Sequence, residues 1–99
     1  MKQLIITNHA IKDFEKAKDW YEKQQESLGN KFADYLFNCF TEISKHPLGN
    51  ASKYKYTREK FVKKYPYVII YSLEENFIFI LRIFPCKTNP KKKYKSINK

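Results

Sequence analysis

The apolar residues of this chain keep a helical spacing as far as Pro47 and adopt a strand-like one after it. Ile11, Phe14, Ala17, Trp20/Tyr21 and Gln24 fall at three- and four-residue steps; after a break at Ser27, Leu28 and Gly29, Phe32, Leu36, Cys39, Phe40 and Ile43 resume them. A stripe at that period lies on one face of a helix. Thr7 or Asn8 can cap the first helix, because their side-chain oxygens accept hydrogen bonds from the unpaired amides of its first turn, so the spacing predicts a helix from about Ala10 to Gln25. The second ends at Lys45 or His46, since Pro47 disfavours helical geometry in the residue before it and has no amide hydrogen. Two helices with so short a link pack as an antiparallel hairpin.

After Pro47 the residues read as strands. Tyr54, Tyr56 and Arg58 alternate with Lys55 and Thr57, Tyr67 to Leu73 is β-branched and aromatic, and Phe77 to Phe84 is the most apolar run, with Glu74, Glu75 and Asn76 as the turn between the last two. Leu4, Ile5 and Ile6 read as one more strand at the start. The expectation is an α+β fold of order βααβββ: an N-terminal strand, a helical hairpin (about 9–46), and a three-stranded antiparallel meander (sheet about 3–7 and 53–84), with the helices packed on one sheet face. Ninety-nine residues bound a single domain, with a basic tail over 85–99.

Charge follows the same division. Residues 1–44 carry six lysines against seven acids, a net of −1, whereas residues 45–99 carry twelve lysines and two arginines against three acids, a net of +11. Such a field repels itself, so a cationic half interleaved with tyrosines suggests a polyanionic partner, either nucleic acid or an acidic protein segment. The sheet face that the helices leave bare is the expected place for that charge.

Other classes are excluded. No stretch approaches the ~20 apolar residues that span a bilayer, and the start MKQLIITNH lacks the apolar segment of a signal peptide, so a cytoplasmic location is expected. Cys39 and Cys86 fit there as reduced thiols. Two cysteines and two histidines at scattered spacing do not suit a metal site, and no cofactor is expected. His9 and His46 stand at helix ends and read as capping residues rather than as an acid/base pair.

The ordered set Ala10, Asp13-Phe14, Trp20-Tyr21-Glu22, Gln25, Leu28-Gly29 with Phe32, Pro47, Arg58, Tyr65-Pro66-Tyr67 and Ile70-Tyr71 resembles the RelE/ParE superfamily of toxins from type II toxin–antitoxin modules, over residues 3–94. Trp20-Tyr21, Leu28-Gly29 and Tyr65-Pro66-Tyr67 lean toward its ParE side, also called plasmid stabilisation proteins. The resemblance implies a growth-inhibiting toxin neutralised by an acidic antitoxin. The oligomeric state is open between a homodimer, through the bare sheet face or the helical hairpin, and a toxin–antitoxin hetero-oligomer. RelE-like members cut mRNA on the ribosome without metal, and ParE-like members poison DNA gyrase; a decayed member that only binds a protein is a third reading.

For RNA cleavage, a guanidinium on a strand offers forked donors matched to phosphate, and the resemblance makes Arg58 the active-site arginine. Lys53 and Lys55 precede it at alternate positions, where like-charge crowding lowers a lysine's pKa toward that of a base. Tyr94 corresponds to a C-terminal tyrosine that stacks on a base. Where nucleases of this kind place a histidine or arginine, this chain reads Phe84-Pro85-Cys86, which leaves Lys87 as acid or clamp. Candidate catalytic residues are therefore Arg58, Lys55, Lys87 and Tyr94, and candidate binding residues Lys53, Lys63, Lys64, Arg82, Lys91, Lys92 and Lys93, with none for metal. The plainer readings are an Arg58 paired with a carboxylate such as Glu42, a solvated lysine tail, and Phe14, Trp20 and Tyr21 as simple hairpin packing.

Overall fold

The computed structural model describes residues 2–49, 52–54 (backbone only) and 56–87. The elements run β1 (Gln3–Ile6), α1 (Asn8–Gln24), α2 (Leu28–Lys45), β2 (Ser52–Tyr54), β3 (Thr57–Val62), β4 (Tyr67–Leu73) and β5 (Phe77–Pro85). They form an α+β fold in which the two helices cover one face of a five-stranded sheet of order β1-β5-β4-β3-β2.

Local chemistry explains the helices. Thr7 caps α1 by accepting from the Ala10 N–H at 3.3 Å, and its own hydroxyl lies 3.0 and 3.1 Å from the carbonyl oxygens of Ile80 and Leu81. One threonine thus ends β1, starts α1 and holds both to β5. The joint between the helices is built differently. Ser27 takes a left-handed φ of 70° and makes no side-chain cap; Glu22, at the end of α1, accepts from the Ser27 and Gly29 amides at 2.9 and 3.0 Å instead. Gly29 is required by proximity, because a Cβ there would stand 2.8 Å from the Lys18 carbonyl oxygen. Residues 17 and 21 of α1 and 32, 36, 39, 40 and 43 of α2 then meet the sheet in the main core.

The sheet departs from the sequence expectation in three ways. First, β1 pairs in parallel with β5 (Leu4 with Ile78, Ile6 with Ile80), so the sheet is mixed rather than an antiparallel meander with an added strand. The helical hairpin carries the chain across the sheet, and that crossover allows the parallel pairing. Second, the segment around Tyr54 to Arg58 is not one strand: β2 and β3 turn back on each other, with Ser52 opposite Arg58. Third, Ile70 pairs with Arg82 but Tyr71 pairs with Ile80, which leaves Leu81 as an extra residue in β5. This bulge reverses the inward and outward sense of everything after it. Ile78 and Ile80 face the helices, and so does Ile83, while Phe84 turns to the opposite face beside Val68 and Ile70.

That opposite face is not the basic surface expected. Among the described residues it carries a small buried cluster of Val68, Ile70 and Phe84, and at its margin Phe61 is 57% exposed. The reason lies in β4, whose central residues are all buried because it has neighbours on both edges and apolar cover on both faces. Of the strand cations, Lys60 and Arg82 are paired with Glu42 and Asp13 of the helices, and Lys63 and Lys64 stand on the β3–β4 turn.

Candidate functional site

Beyond its last pair with β1 at Ile80, β5 is paired with β4 alone and forms one edge of the sheet, beside α1. Asp13, one turn into α1, fills this gap. Its carboxylate accepts from Arg82 Nε at 2.7 Å and Nη2 at 3.0 Å, and from the Ile83 backbone N–H at 3.0 Å. Both side chains of the ion pair are largely buried, and the Arg82 guanidinium also lies 4.3 Å from the centre of the Phe84 ring. Arg82 is therefore held within the fold rather than presented as a free cation.

From that closed end an open groove of about 880 Å³ runs between α1 and the end of β5. Lys16, Trp20 and Lys23 line it from the helix, at the four- and three-residue steps that share one helical face. Tyr67, Phe84 and Pro85 line it from the sheet, and Pro66, Cys86 and Lys87 close the far end. A hydrogen bond from the Cys86 N–H to the Pro66 carbonyl at 2.9 Å ties the first two of these to each other. Trp20 leans edge-on against Tyr21 at 5.0 Å, and Tyr21 is itself packed on Phe32 at 4.8 Å and Tyr65 at 5.1 Å. The indole is 55% exposed all the same, so hairpin packing accounts for Phe14 and Tyr21 but not for Trp20. Burial raises the pKa of Tyr21, helped by Tyr67 and Tyr65, and burial also raises that of Tyr67. Both phenols remain protonated donors at neutral pH.

The other candidate residues are dispersed. Arg58 sits on β3 opposite Tyr71, whose hydroxyl donates to the Pro47 carbonyl at 2.7 Å, beside the end of α2. Glu42 pairs with Lys60 at 3.0 Å. Lys63 and Lys64 are exposed on the β3–β4 turn, the end of the sheet that also carries Lys87. From the row of Arg58 and Tyr71 to the row of Tyr67 and Pro85 is four residues along β4, about 13 Å, and two strand spacings separate β3 from β5. Arg58 and Pro85 are thus roughly 16 Å apart, and Lys87 lies two residues further on. The structure does not bring Arg58 and Lys87 together. Lys55, Tyr94, Lys91, Lys92, Lys93 and the side chain of Lys53 lie outside the described residues.

Lys16, Trp20 and Lys23 were not singled out as site residues from the sequence. Their shared helical face was visible there, but nothing local told that a second wall, from residues 66–67 and 84–87, would stand opposite it. Burial raises the pKa of Cys39, and the opposing influence of Lys60 is smaller, so that thiol is inert. Cys86 is exposed at the groove's end. Among the described residues no helix is long and apolar enough to cross a membrane.

Comparison with known proteins agrees with this architecture. No curated protein matches the chain by sequence. A solved structure titled "Chromosomal ParDE TA system from P. aeruginosa" shares the fold with a TM-score of 0.65 at 19% identity, covering 86% of this chain and 96% of that one. The family model described as the ParE toxin of type II toxin–antitoxin systems matches residues 4–90. With the match spanning both helices and all five strands, the chain belongs to the ParE toxin family and is the toxin of a type II toxin–antitoxin module.

Proposed function

We propose that this toxin arrests growth by docking onto a protein, with DNA gyrase the first target to test, and not by cutting mRNA. The observation that carries this reading is the separation, roughly 16 Å along the backbone rows, between Arg58 and Pro85 at the strand end that leads to Lys87. Metal-free cleavage needs a base, a phosphate clamp and an acid converging within hydrogen-bond reach of one phosphate. A pair so far apart suits a broad contact surface better than a single reaction centre. Membership of the family brings with it an antitoxin partner. We infer that this antitoxin is acidic, because a chain of net charge +10 offers it long-range attraction and a fast encounter.

The test is induced expression with parallel labelling of DNA and protein synthesis, followed by supercoiling and ribosome-cleavage assays on purified toxin. DNA synthesis is expected to fall first and supercoiling to stop while translation continues. Cleavage of ribosome-bound mRNA that Arg58→Ala abolishes would overturn the proposal.

A further inference from the structure

We propose that the outer edge of β1 pairs in antiparallel fashion with β1 of a second copy of this chain, giving a two-fold dimer centred on Ile5 with one continuous sheet across both copies. The inference is independent of which target the toxin arrests.

The backbone of β1 carries it. Gln3 and Thr7 donate their N–H groups to the carbonyls of Asn76 and Ile80, so the odd-numbered residues turn their polar backbone toward β5. Leu4 and Ile6 turn theirs away, and among the described residues no strand lies beyond them. A sheet edge of this kind is a template for another strand, and proteins blunt it with charges, prolines, bulges or covering groups. The remaining edges of this sheet are blunted. β2 is three residues long with a lysine at its centre. The end of β5 is closed by Asp13 on the Ile83 N–H, by the Thr7 hydroxyl on the Ile80 and Leu81 carbonyls, and by Pro85, which has no N–H. β1 has no such device. It reads Gln-Leu-Ile-Ile, its register with β5 is unbroken, and the neighbouring Lys2 ammonium is drawn to the Glu74 carbonyl. The edge is also held in place, because Leu4 and Ile6 pack against the core.

Symmetry and charge select a second copy as the occupant. In the register that pairs Leu4 with Ile6 of the second copy, each of these residues exchanges both backbone hydrogen bonds with its opposite, and the same patch serves both molecules. On the face away from the helices the two Ile5 side chains meet, and Phe79 extends the apolar row on either side. Phe77, packed on Phe79 at 5.9 Å and 36% exposed, stands at its margin. The pairing also sets the exposed Glu75 of each copy about 10 Å, two strand spacings, from the start of the other's α1. That helix has no acid in its first turn and carries Lys12 and the positive end of its dipole. The cations of β3 and its turn, Arg58, Lys60, Lys63 and Lys64, lie at or beyond the third strand spacing from β1, about 14 Å away. Physiological salt screens charges over about 8 Å, so their repulsion does not reach the contact. An interface this small belongs at the low end of the size range, that of a weak and reversible dimer.

The experiment reads the register directly. The two Ile5 residues form a non-hydrogen-bonded pair with Cα atoms about 4.5 Å apart, within the span of a disulfide. The two Gln3 residues stand four positions out of step, about 14 Å apart and out of reach. In a Cys86→Ser background, which removes the exposed native thiol, Ile5→Cys is expected to give a disulfide-linked dimer on mild oxidation and Gln3→Cys to stay monomeric. Sedimentation of the wild-type toxin over about 5–500 μM is expected to show a reversible dimer that Ile5→Lys abolishes, with circular dichroism confirming that this variant folds. If Ile5→Lys fails to fold, the cysteine pair decides alone. A toxin that sediments as a monomer throughout, a dimer that the folded Ile5→Lys variant keeps, or cysteine variants that cross-link equally or not at all would each overturn the proposal.

Discussion

Asp13 accepts three hydrogen bonds from β5, two from Arg82 and one from the Ile83 amide, so removing its carboxylate strands a buried guanidinium and an edge N–H together. Asp13→Ala is expected to cost about 3 kcal/mol in urea unfolding, more than the loss of a surface ion pair. Asp13→Asn keeps an oxygen for one donor and should cost less. Gly29 makes a second residue-level case. A Cβ 2.8 Å from a backbone carbonyl forces the helices apart, and Gly29→Ala should cost roughly 1–3 kcal/mol by the same measurement. Ser72 points the other way. Its hydroxyl is fully buried without a hydrogen-bond partner, so Ser72→Ala is expected to stabilise the fold by about 1 kcal/mol. None of the three effects depends on the toxin's target, so each can be measured on purified protein.

At the scale of elements, the bulge at Leu81 matters more than the side chain it carries. Inserting one alanine after Leu81 would slip everything beyond it by one place against β4, which would turn Ile83 outward and Phe84 into the helix-facing core and break the edge bond from Ile83 to Asp13. The expected outcome is loss of the cooperative unfolding transition, whereas Leu81→Ala preserves it. The contact of α2 with β3 gives a smaller, pH-dependent effect. The hydrogen bond from Lys60, together with its charge, lowers the Glu42 pKa below the ordinary 4.5. A lowered folded-state pKa contributes stability that is present above the ordinary glutamate range and is lost as pH falls through and below it. Glu42 is mostly exposed, so the effect stays under about 1 kcal/mol and is screened by salt. Glu42→Gln should remove that part of the acid slope by lowering neutral stability by the same fraction of a kcal/mol, and leave stability at low pH unchanged.

At the scale of the whole molecule the charge imbalance dominates. A net +10 on 99 residues repels itself, so the isolated toxin should show a higher urea midpoint as salt is added, by screening. The same salt should weaken its association with an acidic partner. The helix pair was legible in the sequence almost to the residue, as Asn8–Gln24 and an end at Lys45 against the expected Ala10–Gln25 and Lys45 or His46. Periodicity and caps act within a few residues of themselves, and so a local reading captures them. The candidate site is legible only in pieces: the sequence offers Arg58, Lys87 and Arg82 as site cations, but register sets Arg58 four residues along β4 from the row of Pro85 that leads to Lys87, and Asp13, 69 residues away, holds Arg82.

By itself the sequence determined what this chain is made of: two amphipathic helices, strongly apolar strands, a cationic second half and membership of a toxin family. Only the tertiary structure decided which faces these parts present, through the parallel pairing of β1 with β5, the bulge at Leu81, and the approach of α1 to the strand end that opens a groove beside Trp20. The physical reason is that helix period and burial tendency are properties of neighbouring residues. Register, edge closure and the meeting of two walls are instead settled by contacts between different elements, some of them between residues about seventy positions apart, whose energies no local pattern encodes.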